Sequence, residues 1–214
     1  MPIKINEIFY SVQGESLFSG MPCIFIRLTG CNLRCSYCDT AYAYHEGRDR
    51  TIQGIEGDIN IYACDLVLVT GGEPLMQHDT QDLIHRLVER GYRVLLETNG
   101  SYSLEHINEK CIKIVDIKCP SSNEEGSTKL ANIQQLGPMD QLKFVVGDRG
   151  DYEYAVKVLE SCCGGIPGER IFFSPVSGRL DPAELASWIL RDSLKARVQL
   201  QLHKIIWPGD IRGR

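Results

Sequence analysis

The chain has 214 residues and a formal net charge of −5, and 43% of its residues are hydrophobic while 24% are charged. This length suits one compact domain with a substantial core, and the composition excludes a disordered or low-complexity protein. The acidic balance argues against direct nucleic-acid binding through a broad basic surface. No apolar stretch reaches the length of a membrane span, and the first residues lack a signal-peptide pattern, so we expect no contact with a membrane.

Strand-like runs alternate with helical patterns along most of the chain. A strand and turn are predicted at residues 5–12, and short apolar runs predict strands at 22–29, 66–70, 93–97, 112–117, 141–146, 171–174 and 198–202. Apolar periodicity and capping residues predict helices at 79–91, 151–162 and 181–194. The polar, glycine-bearing stretch 43–63 predicts a loop with room for a short hairpin.

Alternating strands and helices imply parallel strand pairing through right-handed crossovers. About six such units are too few for a closed eightfold barrel and fit an incomplete one. We therefore predict a single α/β domain over residues 1–214, built as a partial β/α barrel of about six parallel strands. Ligands bind at the carboxyl ends of the strands in such sheets, so the residues that follow each predicted strand are the candidates for a functional site.

Three cysteines, Cys31, Cys35 and Cys38, follow the strand predicted at 22–29 with the spacing C-x3-C-x2-C. A cubane iron–sulfur cluster has four irons to ligate, so three cysteines leave one iron open for chemistry. The spacing therefore favours a catalytic iron–sulfur site. Zinc is the alternative, although zinc sites more often pair two C-x2-C units. Its fourth ligand would come from a nearby side chain, namely Cys23, Cys64 or His45.

The remaining cysteines do not suggest a disulfide framework, because the chain is long for such a scaffold and shows no secretion signal. We expect them to be buried thiols in a reducing cytoplasm, where an open iron–sulfur cluster would also be protected from oxygen. They are Cys23, Cys64, Cys111, Cys119, Cys162 and Cys163.

The cysteine motif, with Gly30 before it and Tyr37 inside it, resembles that of the radical S-adenosylmethionine (SAM) superfamily. The stretch Thr70-Gly71-Gly72-Glu73-Pro74, which follows an apolar strand, is similar to the GGEP element of that superfamily. The resemblance implies a [4Fe-4S] cluster on the three cysteines of a loop at 30–40. It also implies that SAM chelates the open iron and is cleaved to a radical that abstracts hydrogen.

Polar residues at the successive predicted strand ends are candidates for contact with SAM. Carboxylates, amides and a lysine there would bind ribose hydroxyls and a carboxylate, although each could equally belong to an ordinary turn. The residues around Ser174 are expected to lie under the adenine. The candidate SAM-binding residues are Tyr37, Cys38, Asp39, Gly72, Glu73, Asn99, Lys118, Ser121, Ser174, Pro175 and Val176.

Arg27 stands among apolar residues in a predicted strand, and a buried guanidinium needs an anionic partner. That partner could be structural, such as Glu15, or a carboxylate of the substrate. The stretch F-x-S-x-Q-G-E that ends at Glu15, with C-N-L-R-C-x-Y-C-D-T, resembles the 7-carboxy-7-deazaguanine synthase family over nearly the whole chain.

This second resemblance implies conversion of 6-carboxy-5,6,7,8-tetrahydropterin to 7-carboxy-7-deazaguanine with loss of ammonia, on the way to queuosine or archaeosine. It implies Mg²⁺ on Thr40, with Asp39 available instead as a turn cap. The N-terminal segment 5–16 would bind substrate. The implied substrate contacts are Val12, Gln13, Gly14, Glu15, Arg27, Thr70 and His203.

The same resemblance implies a flavodoxin- or ferredoxin-type electron donor and a homodimer, with no direct contact to nucleic acid. Two other functions remain possible from the residues alone. A glycyl-radical-enzyme activase shares the cysteine motif but acts on a protein and needs no arginine for a substrate carboxylate. A non-catalytic zinc or iron–sulfur interaction module would bind no SAM at all.

Overall fold

The computed structural model describes residues 2–162, 165–209 and 212–213. Its strands are β1 (Ile3–Val12), β2 (Pro22–Leu28), β3 (Arg48–Arg50), β4 (Leu66–Gly71), β5 (Arg93–Thr98), β6 (Ile112–Ile117), β7 (Gln141–Val146), β8 (Ile171–Pro175) and β9 (Arg197–Val198). Its α-helices are α1 (Ile52–Ile59), α2 (Thr80–Glu89), α3 (Leu130–Gln134), α4 (Arg149–Cys162), α5 (Pro182–Arg191) and α6 (Leu202–Ile206).

All nine described strands form one sheet in the order β3-β1-β2-β4-β5-β6-β7-β8-β9. From β2 through β9 the neighbouring strands are parallel, whereas β1 pairs antiparallel with both β2 and β3. Strands β3 and β9 are the two edges, so the sheet is open and the prediction of a partial barrel is confirmed. No helix in the described part of the chain is long and apolar enough to cross a membrane.

The alternation of side chains along the strands gives the sheet two different faces. In β7, Leu142, Phe144 and Val146 join the main hydrophobic core, which the helices cover. Gln141 and Lys143, which alternate with these residues, point to the opposite face, where they contact polar groups of the segment that follows β1. The helix-covered face therefore holds most of the core, and the opposite face is free to form a cavity.

The second face is layered from apolar to polar along the strand direction. Its lower layer is a separate hydrophobic cluster that includes Phe9 and Phe25, whose rings stack with centroids 4.7 Å apart. Two residues further along β2, β4, β5 and β6 the side chains become polar, in the successive pairs Phe25 and Arg27, Leu68 and Thr70, Leu95 and Glu97, and Ile114 and Asp116. In β7 both members of the corresponding pair, Gln141 and Lys143, are polar.

The segment after β1 crosses to the far side of the sheet and joins it to the C-terminal region. The backbone N–H of Leu17 donates to Gln141 Oε1 at 3.0 Å, at the start of β7. The N–H of Leu202 donates to Gly14 O at 3.1 Å. These contacts connect the two sides of the open barrel on the same face as the polar layer.

Two local predictions were wrong. The loop predicted at 43–63 contains α1, because the Thr51 hydroxyl caps the helix by accepting from Gly54 N–H and Ile55 and Ile59 are buried beneath it. The strand predicted at 198–202 is shortened to β9, which pairs only with Phe172 and Phe173 of β8, and α6 begins at Leu202.

Candidate active site

A cavity of about 830 Å³ opens at the carboxyl ends of the parallel strands. Its walls are the polar layer of the sheet, the cysteine loop, the turn after β1 and the segment from Gln201 to Gly209. A second cleft of about 420 Å³ lies between α1 and α2 and shares no lining residue with this cavity. All but four of the residues predicted for a site line the larger cavity; the four that do not are Glu73, Ser121, Ser174 and Pro175.

Cys31, Cys35 and Cys38 lie together on the loop after β2, and all three are half-buried free thiols at the cavity wall. Burial raises the pKa of Cys31, and it raises the pKa of Cys35 to about 11. Among the described residues, no group of three or more His, Cys, Asp or Glu side chains is arranged around a single metal ion. Three cysteines alone leave a tetrahedral zinc ion one ligand short, whereas a cubane cluster uses each of them on a different iron.

The side chains considered as a fourth zinc ligand do not join the cysteine loop. Cys23 is fully buried in the lower hydrophobic cluster and donates to Ile24 O, and burial raises its pKa. Cys64 packs beside that cluster and donates to Pro22 O. His45 does not line the cavity. All the described cysteines are free thiols. Cys23, Cys111 and Cys119 are buried as expected, whereas Cys64 and Cys162 are only half-buried. Cys163 lies outside the described residues.

The glycine turn after β4 packs directly on the cysteine loop. The N–H of Glu73 donates to Gly30 O at 2.9 Å. A Cβ at Gly72 would lie 2.4 Å from Gly30 O and 2.5 Å from the Cβ of Cys31, distances that real side chains do not adopt. Glycine is therefore required at this position, because its absent side chain lets the turn and the cysteine loop touch.

Glu73 was expected on the SAM side of this turn, but its carboxylate is buried behind the cavity wall. It accepts hydrogen bonds from Leu75 N–H at 3.0 Å, Thr98 Oγ1 at 2.8 Å and Asn99 N–H at 2.7 Å. Burial raises the pKa of Glu73. Glu73 thus holds Asn99 in place, and Asn99 reaches the cavity, where its amide donates to Asn32 Oδ1 at 3.1 Å.

Three further expected contacts also face away from the cavity. Ser121 donates from its backbone N–H to Asp151 Oδ1 at 2.8 Å and from its hydroxyl to the other oxygen of that carboxylate. Ser174 and Pro175 are buried at the end of β8 and leave the cavity wall to Val176. The Ser174 hydroxyl has no hydrogen-bond partner among the described residues, and of the expected residues 174–176 only Val176 lines the wall.

A buried network of charged side chains links the turn after β1 to the strands β5, β6 and β7. Lys143 Nζ lies 2.7 Å from Glu15 Oε2, is hydrogen-bonded to Glu97 Oε1 and lies 3.4 Å from Asp116 Oδ2. Lys118 Nζ donates to the same Asp116 oxygen at 2.9 Å. Burial alone would lower the pKa of Lys143, but the three carboxylates hold it well above the usual value.

Lys143 was not predicted as a site residue, although its position inside an apolar strand indicates a special role. A lysine between Leu142 and Phe144 in an apolar strand must find anions on one face of the sheet. Two buried polar atoms of this region, Gln13 Nε2 and Asp116 Oδ1, have no hydrogen-bond partner in the described structure, and both residues line the cavity. Buried polar atoms without a partner are uncommon, which makes these two candidates for contact with a bound molecule.

Arg27 is paired with Glu7, so Glu15 as its structural partner was wrong. The two residues are directly opposite in the β1–β2 pair, and Arg27 Nε donates to Glu7 Oε1 at 2.8 Å. The Tyr42 hydroxyl donates to the same oxygen at 2.8 Å. The guanidinium carbon lies 5.8 Å from the Phe9 ring centroid, and Arg27 also lines the cavity.

The C-terminal segment supplies the remaining wall. A Cβ at Gly14 would lie 2.4 Å from His203 Nδ1, so the glycine turn lets the imidazole pack against it. Burial lowers the pKa of His203, which keeps the ring neutral at neutral pH. Lys204 Nζ lies 2.7 Å from Asp39 Oδ2, and the Thr40 hydroxyl donates to Asp39 Oδ1 at 2.9 Å.

The site combines parallel strands with a three-cysteine loop and a glycine turn that packs against that loop. These features together are typical of a radical SAM enzyme. In agreement, the model of the radical SAM superfamily matches residues 25–176. A relative from Koribacter versatilis is 40% identical in a match that covers 99% of this chain and 100% of the relative. A relative from Chlorobaculum tepidum is 44% identical in a match that covers 99% of this chain and 97% of the relative. Both are named 7-carboxy-7-deazaguanine synthase.

The chain therefore belongs to the 7-carboxy-7-deazaguanine synthase family of the radical SAM superfamily. The fold agrees with this: a crystal structure of QueE from Escherichia coli superposes with a TM-score of 0.80 at 23% identity, over 94% of each chain. The predictions of the fold, of a radical SAM enzyme and of its [4Fe-4S], SAM and Mg²⁺ cofactors are confirmed. A non-catalytic module is excluded, because the family consists of enzymes.

Proposed function

We propose that this enzyme converts 6-carboxy-5,6,7,8-tetrahydropterin to 7-carboxy-7-deazaguanine and ammonia in the cavity at the strand ends. Substrate and organic product differ by one NH₃, so the overall change consumes no external oxidant or reductant. The observation that carries the proposal is one cavity with two unlike halves. The cysteine loop and the turn after β4 form one half, and Glu15, Arg27 and Lys143 form the other.

The first half would hold the cofactors. Cys31, Cys35 and Cys38 would ligate the [4Fe-4S] cluster, and Asn99 and Lys118 offer polar groups to SAM beside it. Other expected SAM contacts that line the wall are Tyr37, Asp39, Gly72 and Val176. When bound, the cluster and SAM supply a carbon-centred radical that abstracts a hydrogen atom. The chain's own contribution is to place the substrate carbon close to that point and to exclude water.

The second half would bind the pterin. An ionised Glu15 accepts hydrogen bonds from the two N–H groups on the edge of an aminopyrimidinone. Burial opposes ionisation of Glu15, yet Lys143 and a hydrogen bond from Gln201 outweigh it and lower the pKa. Val12, Gln13, Gly14 and Thr70 line the same wall.

The carboxylate of the substrate would be bound at the opposite edge. Arg27 supplies a guanidinium whose geometry matches a carboxylate. Thr40 would contribute one oxygen ligand to Mg²⁺, with water and substrate oxygens completing the shell. His203, which is neutral, is available to donate or accept one hydrogen bond. Each of these side chains lines the cavity.

Other properties belong to this proposal and stay predictions. We expect a single domain over residues 1–214, because all described strands share one sheet. A flavodoxin- or ferredoxin-type protein would deliver the electron at the cysteine loop, which is only half-buried. A homodimer in the cytoplasm is the expected assembly and location, with queuosine or archaeosine as the end product of the pathway.

The test is anaerobic turnover of the reconstituted enzyme with the carboxytetrahydropterin, SAM and dithionite. We expect the ultraviolet spectrum of the deazaguanine together with ammonia, and neither product when the pterin is left out. SAM cleavage without a deazapurine would refute the substrate while leaving the superfamily intact. As a control for the substrate half, deletion of residues 13–15 should abolish turnover, whereas an activase acting on protein would tolerate it.

A further inference from the structure

One buried cation contacts three carboxylates at the floor of the cavity. Lys143 is only 5% exposed, and its ammonium faces Glu15, Glu97 and Asp116. These three come from separate parts of the chain: the turn after β1, the end of β5 and the end of β6. An ammonium has three N–H donors and no acceptor, so one lysine can serve all three.

The contacts fix the carboxylate of Glu15 at both of its oxygens. Lys143 lies 2.7 Å from Oε2, and the side-chain amide of Gln201 donates to Oε1. A carboxylate has about four lone-pair sites. One site on each oxygen is thus occupied by the protein, which leaves one on each oxygen for two parallel N–H groups of a ligand.

Lys143 cannot serve as an acid or base near neutral pH, because its three anionic neighbours hold its pKa well above the ordinary range. Its three N–H donors already face Glu15, Glu97 and Asp116, so its effect on the reaction comes through the carboxylates that it holds. The carboxylate of Glu97 is also held by Lys143, which donates to its Oε1. Its Oε2 accepts a hydrogen bond from Thr70 Oγ1 at 3.4 Å. Both carboxylates line the cavity.

We propose that Lys143 is a positioning residue for substrate recognition: it orients Glu15 and Glu97 so that their free lone pairs meet the pterin. This inference rests on the proposed function, in which Glu15 binds the aminopyrimidinone edge. Without the lysine, three carboxylates would face one another in a buried space, and at least one would turn away or take up a proton.

Lys113 provides a matched control. It is also a buried lysine, on the adjacent strand β6, and its Nζ lies 3.1 Å from Asp140 Oδ2. Lys113 does not line the cavity, so Lys113→Met removes a buried ion pair without touching the proposed site. This variant therefore separates the loss of stability that follows from removing a buried ion pair from any effect on substrate binding.

The experiment compares the reconstituted wild type, Lys143→Met, Lys143→Arg and Lys113→Met. Binding of 6-carboxypterin, the oxidised form of the substrate, is followed by its fluorescence, and SAM binding and thermal midpoints are measured in parallel. For Lys143→Met we expect at least about tenfold weaker 6-carboxypterin binding and a raised KM, with SAM affinity little changed. Lys143→Arg keeps the positive charge, and its affinity for 6-carboxypterin should lie between those of Lys143→Met and the wild type. If Lys143→Met does not fold, the affinity of Lys143→Arg tests the inference instead.

For Lys113→Met we expect a lower thermal midpoint with wild-type 6-carboxypterin binding. The inference is overturned if both Lys143 variants bind 6-carboxypterin like the wild type, or if Lys113→Met weakens binding as much as Lys143→Met. A wild-type enzyme that binds neither this probe nor the tetrahydropterin overturns the proposed function and the inference together. Wild-type binding that the Lys143 variants retain overturns the inference alone.

Discussion

A methyl group added at Gly72 tests whether the turn after β4 sets the position of the cysteine loop. The new Cβ would lie 2.4 Å from Gly30 O and 2.5 Å from the Cβ of Cys31, whereas ordinary contacts begin at 3.4 Å. The backbone of the loop must therefore move by about 1 Å, from the difference between 3.4 and 2.4 Å. Overpacking of this kind costs roughly 1–3 kcal/mol.

The assay for Gly72→Ala is anaerobic reconstitution followed by iron content, visible absorbance and the rate of 5′-deoxyadenosine release. We expect the rate to fall about tenfold or more, since about 1.4 kcal/mol corresponds to a factor of ten. Gly57→Ala is the matched control, because a Cβ in that part of α1 meets no atom within 4 Å, and it should leave cluster and rate unchanged. Full iron content with a wild-type rate in Gly72→Ala would refute the reasoning.

Three further predictions concern single side chains. Glu73→Gln should destabilise the cluster-free protein by about 1–3 kcal/mol in urea unfolding, because an amide cannot accept all three buried hydrogen bonds; an unchanged midpoint would contradict this. Thr40→Ala should raise several-fold the Mg²⁺ concentration needed for half-maximal turnover, and an identical Mg²⁺ titration would remove Thr40 from the site. Glu15 has a folded-state pKa below its usual 4.5, so its ionised form stabilises the fold above about pH 4.5 and this contribution is lost as the pH falls through the folded value. The difference in unfolding free energy between the wild type and Glu15→Gln should therefore shrink in acid. A difference that grows in acid would mean that folding raises the pKa of Glu15.

Much of the fold could be predicted because each central strand is a short apolar run with a glycine, proline or helix pattern after it. The misses have local physical causes. Helix α1 has only eight residues and contains Gly54 and Gly57, so its propensity is weak, yet Ile52, Ile55 and Ile59 have helical spacing. Burial of that apolar side against the sheet outweighs the glycines.

The candidate site could be predicted where a residue type and its spacing suffice, as with the three cysteines and the glycines beside them. Pairings between distant strands could not. Whether Arg27 meets Glu7 or Glu15 depends on the register of β1 against β2, and the partners of Lys143 depend on how the sheet curves. Sequence shows that a buried charge needs a partner, but only the assembled sheet shows which one.

Contacts between the turn after β1 and the C-terminal segment limit when the cavity can form during translation. Glu15 and Gln201 are 186 positions apart, and at about 5–20 residues per second the second is synthesised roughly ten seconds or more after the first. Throughout that interval Gly14 has neither His203 nor Leu202 beside it. The cysteine loop and its glycine turn are synthesised early, whereas the substrate half of the cavity is completed only after the segment that begins at Gln201 has been made.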